Sequence, residues 1–242
     1  GFAAARNGLS ARRVHGARVA ARSLRSVLAT LDGALHAGLA AAARAELREL
    51  ARLLAAPREA DVRSQWLLAR ADRAGLPGRQ RERLAAALER DRREARRACR
   101  ATLAEPATAA RLARLGQDLK DPRLVRRRAG LPGLLRQRLR RRWKRLLRTI
   151  SAAPEEAEAL HEVRLRAKHV RYATEALLPL LGADAVEPIV RLRRLQACLG
   201  DHQDGADALR WLDAHGDVLD PAAAKALRRL IRRRMRRQVR EF

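Results

Sequence analysis

Aromatic residues are nearly missing from this chain: three Trp, one Tyr and two Phe make up 2% of 242 residues. A core without aromatic mass has to be built from Leu, Ala, Val and Ile, which suits helices better than sheets, so an all-α fold without strands is expected. The same scarcity argues against a single-strand nucleic-acid binder, which stacks bases on aromatic platforms. Cysteine is almost as rare, and Cys99 and Cys198 make neither a disulfide framework nor a metal motif. No run of about 18 uncharged apolar residues offers a membrane span, and the first residues lack the apolar core of a signal peptide. These absences predict a cytoplasmic protein with no membrane partner, although a chain beginning at Gly1 leaves upstream sequence open.

Acids are also scarce. Against 27 Asp and Glu stand 54 Lys and Arg, a formal charge of +27. Self-repulsion on that scale weakens a fold unless a polyanion relieves it. Nearly all of the positive charge is Arg, whose planar fork holds phosphate oxygens bidentately where Lys acts as a point charge. A GC-rich genome accounts for part of the preference for Arg over Lys. It does not account for the excess of positive over negative charge.

One pattern occurs twice, 146 residues apart: His15-x2-Arg18-x3-Arg22-x2-Arg25 and His161-x2-Arg164-x3-Lys168-x2-Arg171. On an α-helix each set falls within an arc of about 80°, making one basic stripe. The register persists: Leu47, Arg48, Leu50, Leu54, Trp66 and Leu67 correspond to Leu192, Arg193, Leu195, Leu199, Trp211 and Leu212, each 145 residues later. This is an internal duplication with a unit too long for a solenoid repeat. It predicts two four-helix bundles related by a pseudo-twofold axis, residues 1–152 with a linking basic helix and residues 153–242.

Caps and breakers place helices at about 10–31, 34–55, 58–75, 79–103, 134–150, 155–181, 184–200, 201–215 and 221–242, with a less regular stretch at 107–133. Pro154-Glu155-Glu156 opens the second copy with the residues a helix N-terminus favours. Short connections between such helices are bundle architecture.

The His-x2-Arg-x3-Arg/Lys-x2-Arg helices, the segment Leu54 to Val62, and Leu195-Gln196-x2-Leu199-Gly200-Asp201-His202-Gln203-Asp204 resemble the CHAD domain, the conserved histidine α-helical domain. The resemblance covers nearly the whole chain. It implies two four-helix bundles enclosing a basic cavity or groove that binds inorganic polyphosphate, with association to polyphosphate granules in some members. It carries over His15, Arg18, Arg22, Arg25, His161, Arg164, Lys168 and Arg171 as ligand-facing. CHAD domains often follow a triphosphate-tunnel catalytic domain, and none is visible in this sequence. Ala55, Ala56 and Pro57 stand where the second copy has Gly200, Asp201 and His202, so His202 lacks a symmetric counterpart.

The chemistry agrees with the resemblance, because a flexible polyphosphate has no bases to read and needs only a close array of fixed cations. Arg136, Arg140 and Lys144 extend the array on the central helix, where residues 121–150 hold twelve Arg and Lys against the single acid Asp121. The stripe Arg90, Arg93, Arg97, Arg100 is interleaved with Glu89, Asp91 and Glu94 and reads as solvated. The run from Lys225 to Arg240 is ambiguous, with Leu227, Leu230, Ile231 and Met235 supplying a core face. His15 and His161 would act as phosphate donors whose contribution grows as pH falls; His36, His169 and His215 read as incidental. Two other readings stay open: nonspecific nucleic-acid binding through backbone phosphates, and an enzyme using Asp201, Asp204 and Asp207 around a metal. Those acids read better as a helix start. No catalysis, cofactor or metal is expected, and oligomeric state is unspecified.

Overall fold

The computed structural model describes residues 9–125, 130–152 and 157–240. Among these the chain is helical almost throughout, with no strand, as the composition predicts. The helices are α1 (Ala11–Thr30), α2 (Ala37–Leu53), α3 (Ala55–Arg73), α4 (Gly78–Ala104), α5 (Pro106–Asp118), α6 (Leu131–Ser151), α7 (Ala157–Ala176), α8 (Leu178–Leu181), α9 (Val186–Ala214) and α10 (Pro221–Arg240). Single 3₁₀ turns occupy Pro122–Leu124 and Ala183–Ala185.

Local chemistry sets most boundaries. Ser10 caps α1, its Oγ accepting from the Arg13 N–H at 3.3 Å. Gly33, at φ 77°, follows the end of α1 in a left-handed conformation that other residues adopt at a cost. Asp220 Oδ1 accepts from the Ala223 N–H at 2.7 Å and caps α10, with Pro221 at the position where a missing N–H costs nothing.

Several expected boundaries move. Pro57 does not precede a helix but lies in the first turn of α3, where proline is tolerated. The stretch 107–133 contains α5. The expected helices 184–200 and 201–215 are one helix, α9, because Gly200 costs only about 1 kcal/mol inside a helix. Asp201, Asp204 and Asp207 therefore sit in mid-helix, and their reading as a helix start is wrong. Pro154, Glu155 and Glu156 lie outside the described residues, as do Arg126, Arg127 and Arg128 of the central basic segment.

The chain divides into two compact units, Gly1–Ala55 with Arg100–Gln196, and Ala56–Cys99 with Ala197–Phe242. Each unit takes helices from both sequence copies, so this spatial division differs from the cut at residue 152. In the first unit α1 packs on α2 and α7, α6 packs on α7, and α5 on α2. Ala21 of α1 and Ala167 of α7, equivalent in the repeat, are both fully buried. The Ser26 hydroxyl donates to the His169 carbonyl at 2.8 Å and ties α1 to α7. The second unit surrounds Trp66, Leu67, Leu84, Leu88, Trp211, Leu212, Leu227 and Ile231, supplied by α3, α4, α9 and α10. Burying each of these aliphatic side chains contributes about 1.5–3 kcal/mol. Gly205 permits α10 to approach α9 closely, since a Cβ there would meet Met235 Cγ at 3.0 Å.

Candidate functional site

The seam of α1 toward its neighbours follows a 4-3-4-3 spacing through Val14, Arg18, Ala21, Arg25 and Leu28. Two of the five are arginines. Arg18, 9% exposed, donates from Nη1 to the Ala51 carbonyl at 3.1 Å, near the end of α2 where carbonyls lack helical partners. Arg25 lies two turns further on, partly buried. Burial lowers its affinity for the proton, and Arg48, Arg22 and Arg52 lower it further.

Helix α6 repeats the device. Leu135, Leu139 and Leu146 are buried along one side, and Arg142 fills the missing position of that seam. Burial pushes the Arg142 guanidinium below the usual arginine value, helped by Arg138 and Arg145. Facing them from α7 is His169. Its imidazole is pushed down first by crowding from the surrounding chain, then by Arg142, Arg25 and Arg22, with Glu162 the one group pulling the other way.

These effects join Arg22, Arg25, Arg48, Arg52, Arg138, Arg142, Arg145 and His169 in one network of like charge on α1, α2, α6 and α7. Arg52 is held by Glu49 at 2.9 Å, and Arg138 reaches Asp32 only at 3.8 Å. Among the described residues no carboxylate pairs with Arg22, Arg25, Arg48, Arg142 or Arg145. Arg22, Arg25, Arg138 and Arg142 are partly buried while Arg48, Arg52, Arg145 and His169 are exposed, and holding the partly buried cations among like charges is unfavourable in the empty protein. A cluster of this kind is a candidate site.

Residues singled out in the sequence divide into those inside this network and those beside it. Arg22 and Arg25 belong to it. His15 and His161 are exposed near the starts of their helices, and Arg164 and Lys168 are partly buried on α7. Arg171, the repeat equivalent of Arg25, is clamped: Nη1 donates to both Glu175 oxygens at 2.9 Å, Nε to Gln196 Oε1 at 2.9 Å, and the guanidinium covers the Tyr172 ring at 4.4 Å. On α6, Arg136 donates to the Leu180 carbonyl at 3.1 Å, while Arg140 and Lys144 are exposed. The side of α6 whose charges reach His169 is the one carrying Arg142, which lies two residues, or about 200°, around the helix from Arg140. Sequence reasoning passed over Arg142 and took His169 as incidental. The available signal was an arginine completing the 135-139-142-146 spacing of an otherwise leucine seam.

Two of the acids considered for catalysis, Asp201 and Asp207, are occupied by cations in the second unit. Asp201 accepts from Trp66 Nε1 at 2.6 Å and from Arg70 Nη2 at 2.8 Å, and also holds Arg234; Arg70 stacks over the Trp66 ring at 4.1 Å. Asp207 pairs with Arg63 at 3.4 Å and with Arg210. Asp61, 1% exposed, receives both Arg92 at 3.0 Å and Arg96. Arg92 and Arg96 thus turn inward from α4, while the stripe Arg90, Arg93, Arg97, Arg100 is exposed as expected. No three His, Cys, Asp or Glu side chains gather as a metal site among the described residues, and no described helix is long and apolar enough to cross a membrane.

Solved structures share this fold. PptA from Streptomyces chartreusis is 21% identical at a TM-score of 0.72, with 96% of this chain and 87% of that one covered. The crystal structure of the CHAD domain from the plant Ricinus communis is 23% identical at the same TM-score, 0.72, with 99% and 80% covered. No curated protein matches the sequence. The CHAD domain profile matches residues 3–213, and with that span the chain belongs to the CHAD domain family.

Proposed function

We propose that this chain binds inorganic polyphosphate, without transforming it, through the cationic network on α1, α2, α6 and α7. The observation that carries the reading is Arg25 and Arg142, each in a helix seam and, among the described residues, without a carboxylate partner, both acting together with Arg22 on His169 of α7. The family is one that binds polyphosphate. A phosphate chain would supply to each arginine the oxyanion that the protein withholds, and each charge-assisted contact is worth about 1.5–3 kcal/mol. Arg164, Lys168, His161 and His15 stand on the same helices and would lengthen the track. Rigid helices hold the cations in place before the ligand arrives, which reduces the ordering cost of binding.

A binding role also fits the acids. Asp201 and Asp207 are engaged by Trp66, Arg70, Arg234, Arg63 and Arg210, so a metal would have to displace several cations to reach them. The test is titration with long-chain polyphosphate, triphosphate, duplex DNA and single-stranded DNA at equal phosphate concentration and physiological salt. Polyphosphate binds most tightly if the network is the site. Equal affinity for duplex DNA would replace this reading with a diffuse basic surface.

A further inference from the structure

Helix α10 has a recess on each of two flanks. One is a groove of about 960 Å³ against the end of α3, lined by Ala74, Ala226, Leu230 and seven arginines. The other, of about 620 Å³, sets Leu219, Pro221 and Ala224 beside Lys225, Arg228 and Arg232. Arg229 and Arg236 line both, so they form the crest of a ridge between the two recesses. No acid lines either one. By its spacing Leu230 belongs with Leu227 and Ile231 on the core face, yet those two are fully buried while Leu230 is only partly buried and lines the groove. Ala226 and Leu230, one turn apart, make an apolar strip, with Arg229 and Arg233 on its outer side and Arg234 on the side toward α3. Asp201 holds both Arg70 and Arg234 in the groove wall. Arg73, Arg229, Arg233, Arg236 and Arg237 are exposed and, among the described residues, pair with no carboxylate.

We infer that the groove between α3 and α10 docks an acidic amphipathic helix of a partner protein. An aliphatic strip between rows of guanidinium groups is complementary to a helix whose apolar stripe is flanked by Asp and Glu. The strip decides the class of partner. A nucleic-acid backbone or any other chain of phosphoryl groups has only solvated oxyanions to lay on Ala74, Ala226 and Leu230, and desolvating oxyanions there is unfavourable. A polypeptide that carries Leu beside Glu satisfies both parts of the surface. Its aliphatic side chains cover the strip, its carboxylates take the arginine forks, and the arginine stems add apolar area of their own. The lining has no aromatic ring on which a base could stack. Asp201 fixes Arg70 and Arg234 before the partner arrives, which reduces the ordering cost of docking. The inference rests on this surface and not on the polyphosphate reading.

Anisotropy titration of the full chain with three labelled peptides of about 18 residues, long enough for a helix, tests it. The first peptide sets Leu at the i, i+3, i+4 and i+7 positions of one helix face with Glu on both flanks. The second has the same composition with Leu moved off that period, and the third is polyglutamate of equal net charge. At physiological salt the first is expected to bind at least about tenfold more tightly than the others. Equal affinities would mean that the surface reads charge alone, and the inference would fall. Ala226 is exposed, so A226E leaves the core untouched while placing a carboxylate in the strip, and it should weaken the first peptide by about tenfold. L230Q keeps every charge and should bring the first peptide down toward the second. R229Q/R233Q/R236Q should lose about tenfold, more than R79Q/R90Q/R97Q, which removes the same charge from exposed positions on α4. Unchanged affinity in A226E, or equal losses in these two triple variants, overturns the inference. Duplex DNA of equal charge covers the other class of partner: tighter binding than the first peptide, lost in R229Q/R233Q/R236Q, would assign the groove to nucleic acid instead. Polyphosphate affinity should be the same in L230Q as in the wild type. A wild type that binds the first peptide but no polyphosphate overturns the proposed function and leaves the docking groove standing.

Discussion

Asp61 and Arg142 show opposite solutions to the same problem. In the second unit Asp61, 1% exposed, is enclosed by Arg92 and Arg96, and Arg63 is shared between Asp91 at 3.3 Å and Asp207 at 3.4 Å. Each of these charges has an opposite partner within the unit, and removal of one partner exposes the cost of the other. In the first unit Arg142 replaces a leucine in a seam and is surrounded by Arg138, Arg145 and His169. Among the described residues no carboxylate pairs with it. Paired charges hold a structure together, while unpaired ones held close weaken it and wait for an external anion. Arg92 and Arg96 therefore serve a scaffold, whereas Arg142 is left for the site that the proposed function requires.

The sharpest break of this comparison is D61A. Leaving Arg92 and Arg96 inward-facing without their carboxylate should destabilise the protein by about 3 kcal/mol, the low end for a broken buried pair because both arginines keep some solvent. Urea unfolding measures it, and polyphosphate affinity should change less than twofold. A large loss of affinity with intact stability would mean that Asp61 serves the site.

R142L should do the reverse. Leucine completes the Leu135, Leu139, Leu146 seam and removes a repelled cation, so the empty protein should gain about 1–2 kcal/mol. Binding of polyphosphate should fall by about tenfold or more, the loss of roughly 1.4 kcal/mol or beyond. If R142L is destabilised and binds normally, Arg142 is scaffold and its contrast with Arg92 and Arg96 fails.

Next in size is a contrast of two faces of α6. R138Q/R145Q should lower polyphosphate affinity several-fold more than R140Q/K144Q, and should flatten its salt dependence more, because each lost phosphate contact removes one released counterion. Equal losses would return the sequence's choice of face to contention.

How far the sequence alone reached follows from the same residues. The helices and their lack of strands were legible because Leu and Ala periodicity and caps such as Ser10 act locally. The basic stripe of α1 was legible in part: Arg22 and Arg25 enter the network. Repeat equivalence suggested equal roles for Arg25 and Arg171, yet Glu175, one turn further along the same helix, neutralises Arg171 and Gln196 accepts from it; the first partner was open to view as an i, i+4 pair, and the second comes from elsewhere in the chain. Gly200 read as a break, and with it Asp201 as a helix start, because a single glycine's modest penalty is outweighed by packing that sequence does not display. Arg140 was preferred to Arg142 since charge density was counted without asking which side of α6 meets α7.

The smallest expected effect is the most specific to the site. His169 faces Arg142 on α6 and Arg22 and Arg25 on α1, with Glu162 on its own helix opposing them, and its folded pKa lies below the model-compound value of 6.5. In the empty protein the unfolded chain therefore binds the proton first as pH falls, so this group costs stability below about pH 6.5 and contributes no such cost above it. A bound phosphate chain reverses the balance by favouring the charged imidazole. Binding must then take up protons between the empty and liganded values, and affinity should rise by a few-fold from pH 7.5 to pH 6. Internal phosphates of a long chain stay ionised across that range and contribute no slope of their own. H169Q should flatten the profile while keeping most of the affinity at pH 7.5, whereas H36Q, an exposed histidine that caps α2, should leave the slope in place. A slope that survives H169Q would move the proton uptake to another histidine on these helices, His15 or His161, and would detach His169 from the site.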